Sequence, residues 1–165
     1  MGQKTAVVTL DGGAMRFSAR SGSGHSLVLD DGDGDGGPRP SELVPIALAA
    51  CTAMDVISIL RKKRQVVTGY EVRAVGEQRD GAPAVFTTVD VEHVVDGPEV
   101  DVEAVRRSIE LSATRYCPVG ATLATGITEI RHRYRVRRAD GEHVGEVVVT
   151  GPNEAPEALG QTRAN

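Results

Sequence analysis

The amino-acid sequence predicts an α+β fold in which one long apolar helix packs against antiparallel sheet. Residues 39–65, RPSELVPIALAACTAMDVISILRKKRQ, are almost wholly apolar between a turn-rich start and a basic end, as a buried helix requires. The segments on either side alternate with the two-residue period of strands. No regular strand–helix–strand alternation runs through the chain, so the elements segregate as in α+β folds.

Composition narrows the function classes. A chain of 165 residues can bury a real core as one domain, expected over 1–150 with a disordered tail at 151–165. A net charge of −4 offers no electrostatic footprint for nucleic acid, and two Phe, three Tyr and no Trp leave few stacking platforms for bases. The N-terminal MGQKTAVVTLDGG has no apolar region followed by a small-residue cleavage site. Ala6 stands where a myristoylation pattern expects Ser or Thr. A cytoplasmic protein is the expectation, and cysteine pairs in such a compartment form disulfides mainly for catalysis or redox sensing.

Three short strands come first, over Lys4–Leu10, Met15–Ala19 and His25–Asp30, separated by Asp11-Gly12-Gly13 and Ser21-Gly22-Ser23-Gly24 turns. The following DGDGDGGP resembles half of a calcium loop, but the acid at the closing position lies beyond Pro38 and Pro40, and no helix precedes it, so it reads as a loop. Pro40-Ser41-Glu42 starts the long helix through a tolerated proline, a capping hydroxyl and a carboxylate at the positive end of the dipole. The run Arg61-Lys62-Lys63-Arg64 stops it. Its length raises the question of a membrane span, and Glu42 at one end and Asp55 inside argue against that. Because it is apolar nearly all round, the helix is expected to be buried on most sides.

Val66–Gln78 and Ala84–Val95 form a hairpin about Arg79-Asp80-Gly81-Ala82-Pro83, and Asp101–Arg115 an amphipathic helix. Tyr116-Cys117-Pro118 interrupts that helix, Val119–Thr125 adds a short one, Thr128–Arg138 is a core strand and Val144–Thr150 an edge strand.

The chemistry concentrates on two thiols, Cys51 in the long helix and Cys117 at the helix break. No CxxC or zinc-ribbon spacing relates them, and His25, His93, His132 and His143 do not complete a site, so neither a metal nor a cofactor is expected. Pairs of cysteines are often simply small buried hydrophobes. Cys117 stands out because it precedes Pro118, where N–H groups of the next turn can stabilise a thiolate. Glu42 lies about two and a half helical turns before Cys51, so it reaches that thiol only through an intermediary or an interface.

Two motifs then resemble a known family. Pro40-Ser41-Glu42-Leu43-Val44, with Ala47-Leu48-Ala49-Ala50-Cys51-Thr52-Ala53-Met54-Asp55, resembles the first cysteine motif of the OsmC/Ohr proteins, and Tyr116-Cys117-Pro118-Val119 resembles the second. The likeness runs from about Phe17 to Val136, and Arg20-Ser21-Gly22-Ser23-Gly24-His25 is most similar to the YhfA-like branch. The resemblance implies an intertwined homodimer with active sites at its interface. It implies a peroxidatic Cys51, a resolving Cys117, and Glu42 orienting an arginine, best matched by Arg20 with Arg16 second. The implied activity is reduction of organic hydroperoxides with an unidentified thiol as reductant; composition and spacing add the expectation of no cofactor, metal, nucleic acid or membrane partner. Two other readings stand beside it: the same fold binding or modifying a small apolar or acyl ligand, and a structural dimer with inert thiols.

Overall fold

Alternating side chains give the chain its strands, and the computed structural model describes residues 2–12 and 15–152. The tail expected at 151–165 lies, from residue 153 onward, outside the described residues. The chain divides between Val44 and Pro45 into two compact units, described here separately.

The first unit is an antiparallel meander of β1 (Ala6–Leu10), β2 (Phe17–Ser21) and β3 (Ser26–Leu29), in that order across the sheet. Gly24 takes a positive φ of 89° in the β2–β3 turn, where its N–H donates to the Ser21 carbonyl at 2.9 Å. Buried Asp30 organises the acidic loop by accepting the Asp31 and Gly36 N–H groups, each at 2.9 Å. A 3-10 turn over Pro40–Glu42 ends the unit, and the Glu42 carboxylate reaches back to accept the Arg39 N–H at 2.7 Å.

The second unit contains nearly all of the long helix α1 (Leu43–Lys62) and a sheet of β4 (Gly69–Gln78), β5 (Phe86–Asp96), β6 (Glu129–Arg138) and β7 (Gly141–Thr150), in sequence order. The α+β class holds, with one local difference from the expected pairing: β5 and β6 run parallel, while the other two pairs are antiparallel. The reason is the crossover between them, α2 (Val102–Leu111), a π turn over Ser112–Tyr116, and α3 (Pro118–Ala124), which returns the chain to the same end of the sheet. Asp101 caps α2 by accepting the Glu103 N–H at 2.9 Å.

One stripe of α1 meets the sheet. Leu48, Thr52, Val56 and Leu60, spaced by four, are fully buried. Val56 and Leu60 pack with Val95, Val136 and α2's Val105 and Ile109, while Leu48 packs with Val89, Val91, Ile130 and Cys117. Burial of α1 on most sides is not what the single chain shows: Ile46 and Met54 are 53% and 72% exposed, because only one sheet face is available to the helix. By length and composition alone, Pro40–Lys62 could cross a membrane.

The far face of the sheet is polar. Glu92 on β5 accepts from Arg135 on β6 at 3.0 Å and lies 3.4 Å from Arg73 on β4, and Arg135 also reaches Glu142 on β7 at 2.5 Å. The ladder joins all four strands, though half-exposed ion pairs contribute little individually.

The inner face holds a row of rings. Tyr70 Oη and His93 Nδ1 share a hydrogen bond of 2.7 Å, and His93 stacks on His132 with centroids 6.1 Å apart. His93 Nε2 and His132 Nδ1 are buried without a hydrogen-bond partner among the described residues. Burial, with the neighbouring His132 second, pushes His93 down to about 3, and burial pushes His132 down to about 4. Between these values and about 6.5 the unfolded chain binds protons that the native one refuses, so stability is lost as pH falls through that window. Denaturant unfolding at about pH 6.5 and about pH 5, above most of the carboxylate range, therefore shows a falling midpoint, with a limiting slope of about 1.4 kcal/mol per pH unit for each imidazole. A midpoint independent of pH over that interval means neither ring is held neutral.

Candidate active site

Cys51 sits on α1 one residue before the buried Thr52, which leaves its thiol half-buried at the edge of the helix–sheet contact. One turn later on the same face comes Asp55. Cys117 arrives from the opposite direction. The residue before a proline is driven out of helical geometry, and Cys117 adopts φ −74° and ψ 103°, ending the π turn and capping α3. Its N–H still donates to the Ser112 carbonyl at 2.9 Å, a wide turn that rotates the thiol toward α1. The outcome is a cluster in which Cys51 Sγ, Cys117 Sγ and an Asp55 carboxylate oxygen all lie within 4.8 Å of one another.

A hydrogen-bonded chain holds the carboxylate. Ser112 Oγ donates to Asp55 Oδ2 at 2.9 Å, and Thr52 Oγ1 lies 2.9 Å from Ser112 Oγ. Ser112 has one hydroxyl hydrogen and gives it to Asp55, so Thr52 is the donor to Ser112. Thr52 and Ser112 are fully buried, and together they tie α1 to the π turn at the level of the thiols. The Asp55 charge also contributes to raising the Tyr70 phenol above its ordinary value, second to the burial of that ring. A cavity of about 480 Å3 opens beside Asp55, lined by Ser58, Ile59, Lys62, Leu111 and Tyr116.

The two thiols are unequal. Cys117 is 4% exposed, and burial pushes its thiol up to about 12. The Gly120 N–H donates to Cys117 Sγ at 3.3 Å and pulls the other way, as the helix start predicts, but desolvation outweighs it and proximity to Cys51 adds to the rise. Cys117 is therefore a protonated thiol at neutral pH. Cys51 is the more exposed of the two thiols.

Of the residues singled out in the sequence, the fold brings Cys51 and Cys117 together. Arg20, Arg16 and Glu42 belong to the first unit. There Arg20 is exposed on β2, paired in register with Val7 and Ser26, and the Glu42 carboxylate is engaged by the Arg39 N–H. Sequence reasoning missed Asp55, Ser112 and Thr52. The spacing of Asp55 from Cys51, one turn along an apolar helix, carried that signal.

Residues 32–142 match the family model described as OsmC-like protein, and the chain belongs to this family. Protein YhfA of Escherichia coli is 39% identical over 122 residues, spanning 74% of this chain and 90% of that one. Among solved structures, a hypothetical protein from Aquifex aeolicus has a TM-score of 0.74 at 24% identity, covering 84% of this chain and 98% of that one. An organic hydroperoxide resistance protein from Elizabethkingia anophelis has a TM-score of 0.57 at 19% identity, covering 84% and 97%. At such identities these two structures speak for the fold.

Proposed function

We propose that the protein is a thiol-dependent peroxidase that reduces organic hydroperoxides to alcohols. The observation that carries this reading is the approach of two unpaired thiols from α1 and the α3 start to within 4.8 Å. The hydroperoxide resistance of the structural relative from Elizabethkingia anophelis points to the same substrate class.

The accessible Cys51 thiolate attacks the terminal oxygen of the hydroperoxide. The O–O bond breaks, the alkoxide leaves and takes a proton as the alcohol, and Cys51 becomes a sulfenic acid. Cys117, kept protonated and buried until then, displaces hydroxide from that sulfur to form the Cys51–Cys117 disulfide, releasing water. Two equivalents of an external thiol reduce the disulfide and are themselves oxidised to a disulfide, a reductant that a cytoplasmic location supplies. The family resemblance adds Arg20, or Arg16, as the cation that favours the thiolate, with Glu42 orienting it. Free-thiol titration before and after one equivalent of tert-butyl hydroperoxide tests the reading: two thiols per chain disappear rapidly in the parent protein, and Cys51→Ser consumes no peroxide. Unchanged thiols, or a Cys51→Ser variant as fast as the parent, contradict it.

The same reading makes the protein a homodimer. The outer face of α1, with Ile46 and Met54 exposed, is an apolar surface that a second copy covers, and its buried face is already committed to the sheet. Sedimentation equilibrium returns twice the chain mass for the parent, and Met54→Glu shifts it toward the monomer. A monomeric parent protein rules the dimer out.

A further inference from the structure

The cluster that juxtaposes two thiols also includes a carboxylate, which the peroxidase steps leave without a part. From this arrangement we infer that the reduced protein binds a soft divalent cation of the zinc class through Cys51 Sγ, Cys117 Sγ and a carboxylate oxygen of Asp55. This binding needs only the reduced thiols and goes beyond the peroxidase reading, whose failure leaves it standing.

Three features fit. The donor set of two sulfurs and one oxygen suits zinc or cadmium and disfavours magnesium and calcium, which take oxygen ligands. In a tetrahedral zinc site, with Zn–S near 2.3 Å and Zn–O near 2.1 Å, neighbouring donors lie about 3.6–3.8 Å apart. The two sulfurs and one Asp55 carboxylate oxygen are already within 4.8 Å of one another, so side-chain rotations that draw them inward by about 1 Å bring three ligands to zinc distance. The third feature is the support of the carboxylate. Ser112 donates to Oδ2, and Thr52 backs Ser112, which leaves Oδ1 for a metal and fixes its direction, as outer hydrogen bonds do for metal-binding carboxylates. Asp55 also lines a cavity of about 480 Å3, which brings solvent to the carboxylate end of the cluster.

Binding replaces both thiol protons, which pass to the buffer, and the two thiolates and the carboxylate together carry one more negative charge than the ion neutralises. Disulfide formation takes both sulfurs from the metal, so oxidation and metal binding exclude each other.

Titration of the metal-free, fully reduced protein with Co2+ reads the site directly, because thiolate ligation produces an intense sulfur-to-cobalt charge-transfer band. The expected result is one Co2+ per chain, displaced stoichiometrically by Zn2+. Asp55→Asn, which keeps an oxygen for Ser112, weakens affinity at least tenfold, and Cys117→Ser lowers the band by about half. Absence of the band, or affinity undiminished in Asp55→Asn, overturns the proposal. Circular dichroism of each variant confirms that it is folded, and peroxide consumption is followed separately on the metal-free protein, so the two readings fail independently.

Discussion

Everything at the thiol site depends on the docking of one stripe of α1 onto the sheet. Leu48, Thr52, Val56 and Leu60 recur every fourth residue and are fully buried, which sets both the rotation of the helix and its height over β5 and β6. Three of the four make apolar contacts, while Thr52 makes the polar tie to Ser112 that locks the π turn to the helix. With rotation fixed, Cys51 and Asp55 fall at the edge of the stripe beside Cys117, and Asp55 lines a cavity there. A one-residue change in helix rotation, about 100°, would carry both away from Cys117.

Two opposing effects set the character of Cys117. An N–H at the start of α3 favours its thiolate, and exclusion from water disfavours it, with exclusion the larger. This inequality makes the two sulfurs differ without any difference in residue type. Cys51 is half-buried, and Cys117 is buried and protonated within reach of it. The neighbouring carboxylate adds a negative charge that raises the cost of holding two thiolates there, unless a cation joins them.

Much of this was legible in the amino-acid sequence. Pro118 announced the break that positions Cys117, and the basic run after Leu60 marked the end of α1, where Arg64 turns out to take a positive φ of 57°. The parallel pairing of β5 with β6 was not legible, because it depends on where a three-part crossover returns the chain, which local alternation does not encode. Asp55 was visible as a residue awkward for a membrane and as the end of the first cysteine motif, but its place beside the thiols depends on Ser112 from α2's continuation, contributed by the fold. His93 and His132 likewise looked scattered in the chain, and adjacent strands stack them in the core. The uniform apolarity of α1 suggested burial all round, whereas a single chain has one sheet to offer and leaves Met54 in the open.

On the proposed reading, Cys51 and Cys117 act as one redox pair. Peptide mapping by mass spectrometry, after one turnover with an organic hydroperoxide and trapping of free thiols, tests it most directly. The expected result is a single linked species joining the peptide that contains Cys51 to the one that contains Cys117, lighter by two hydrogens and reversed by dithiothreitol. Recovery of Cys51 as a stable sulfinic acid with Cys117 still free, or of both cysteines unmodified, would contradict it.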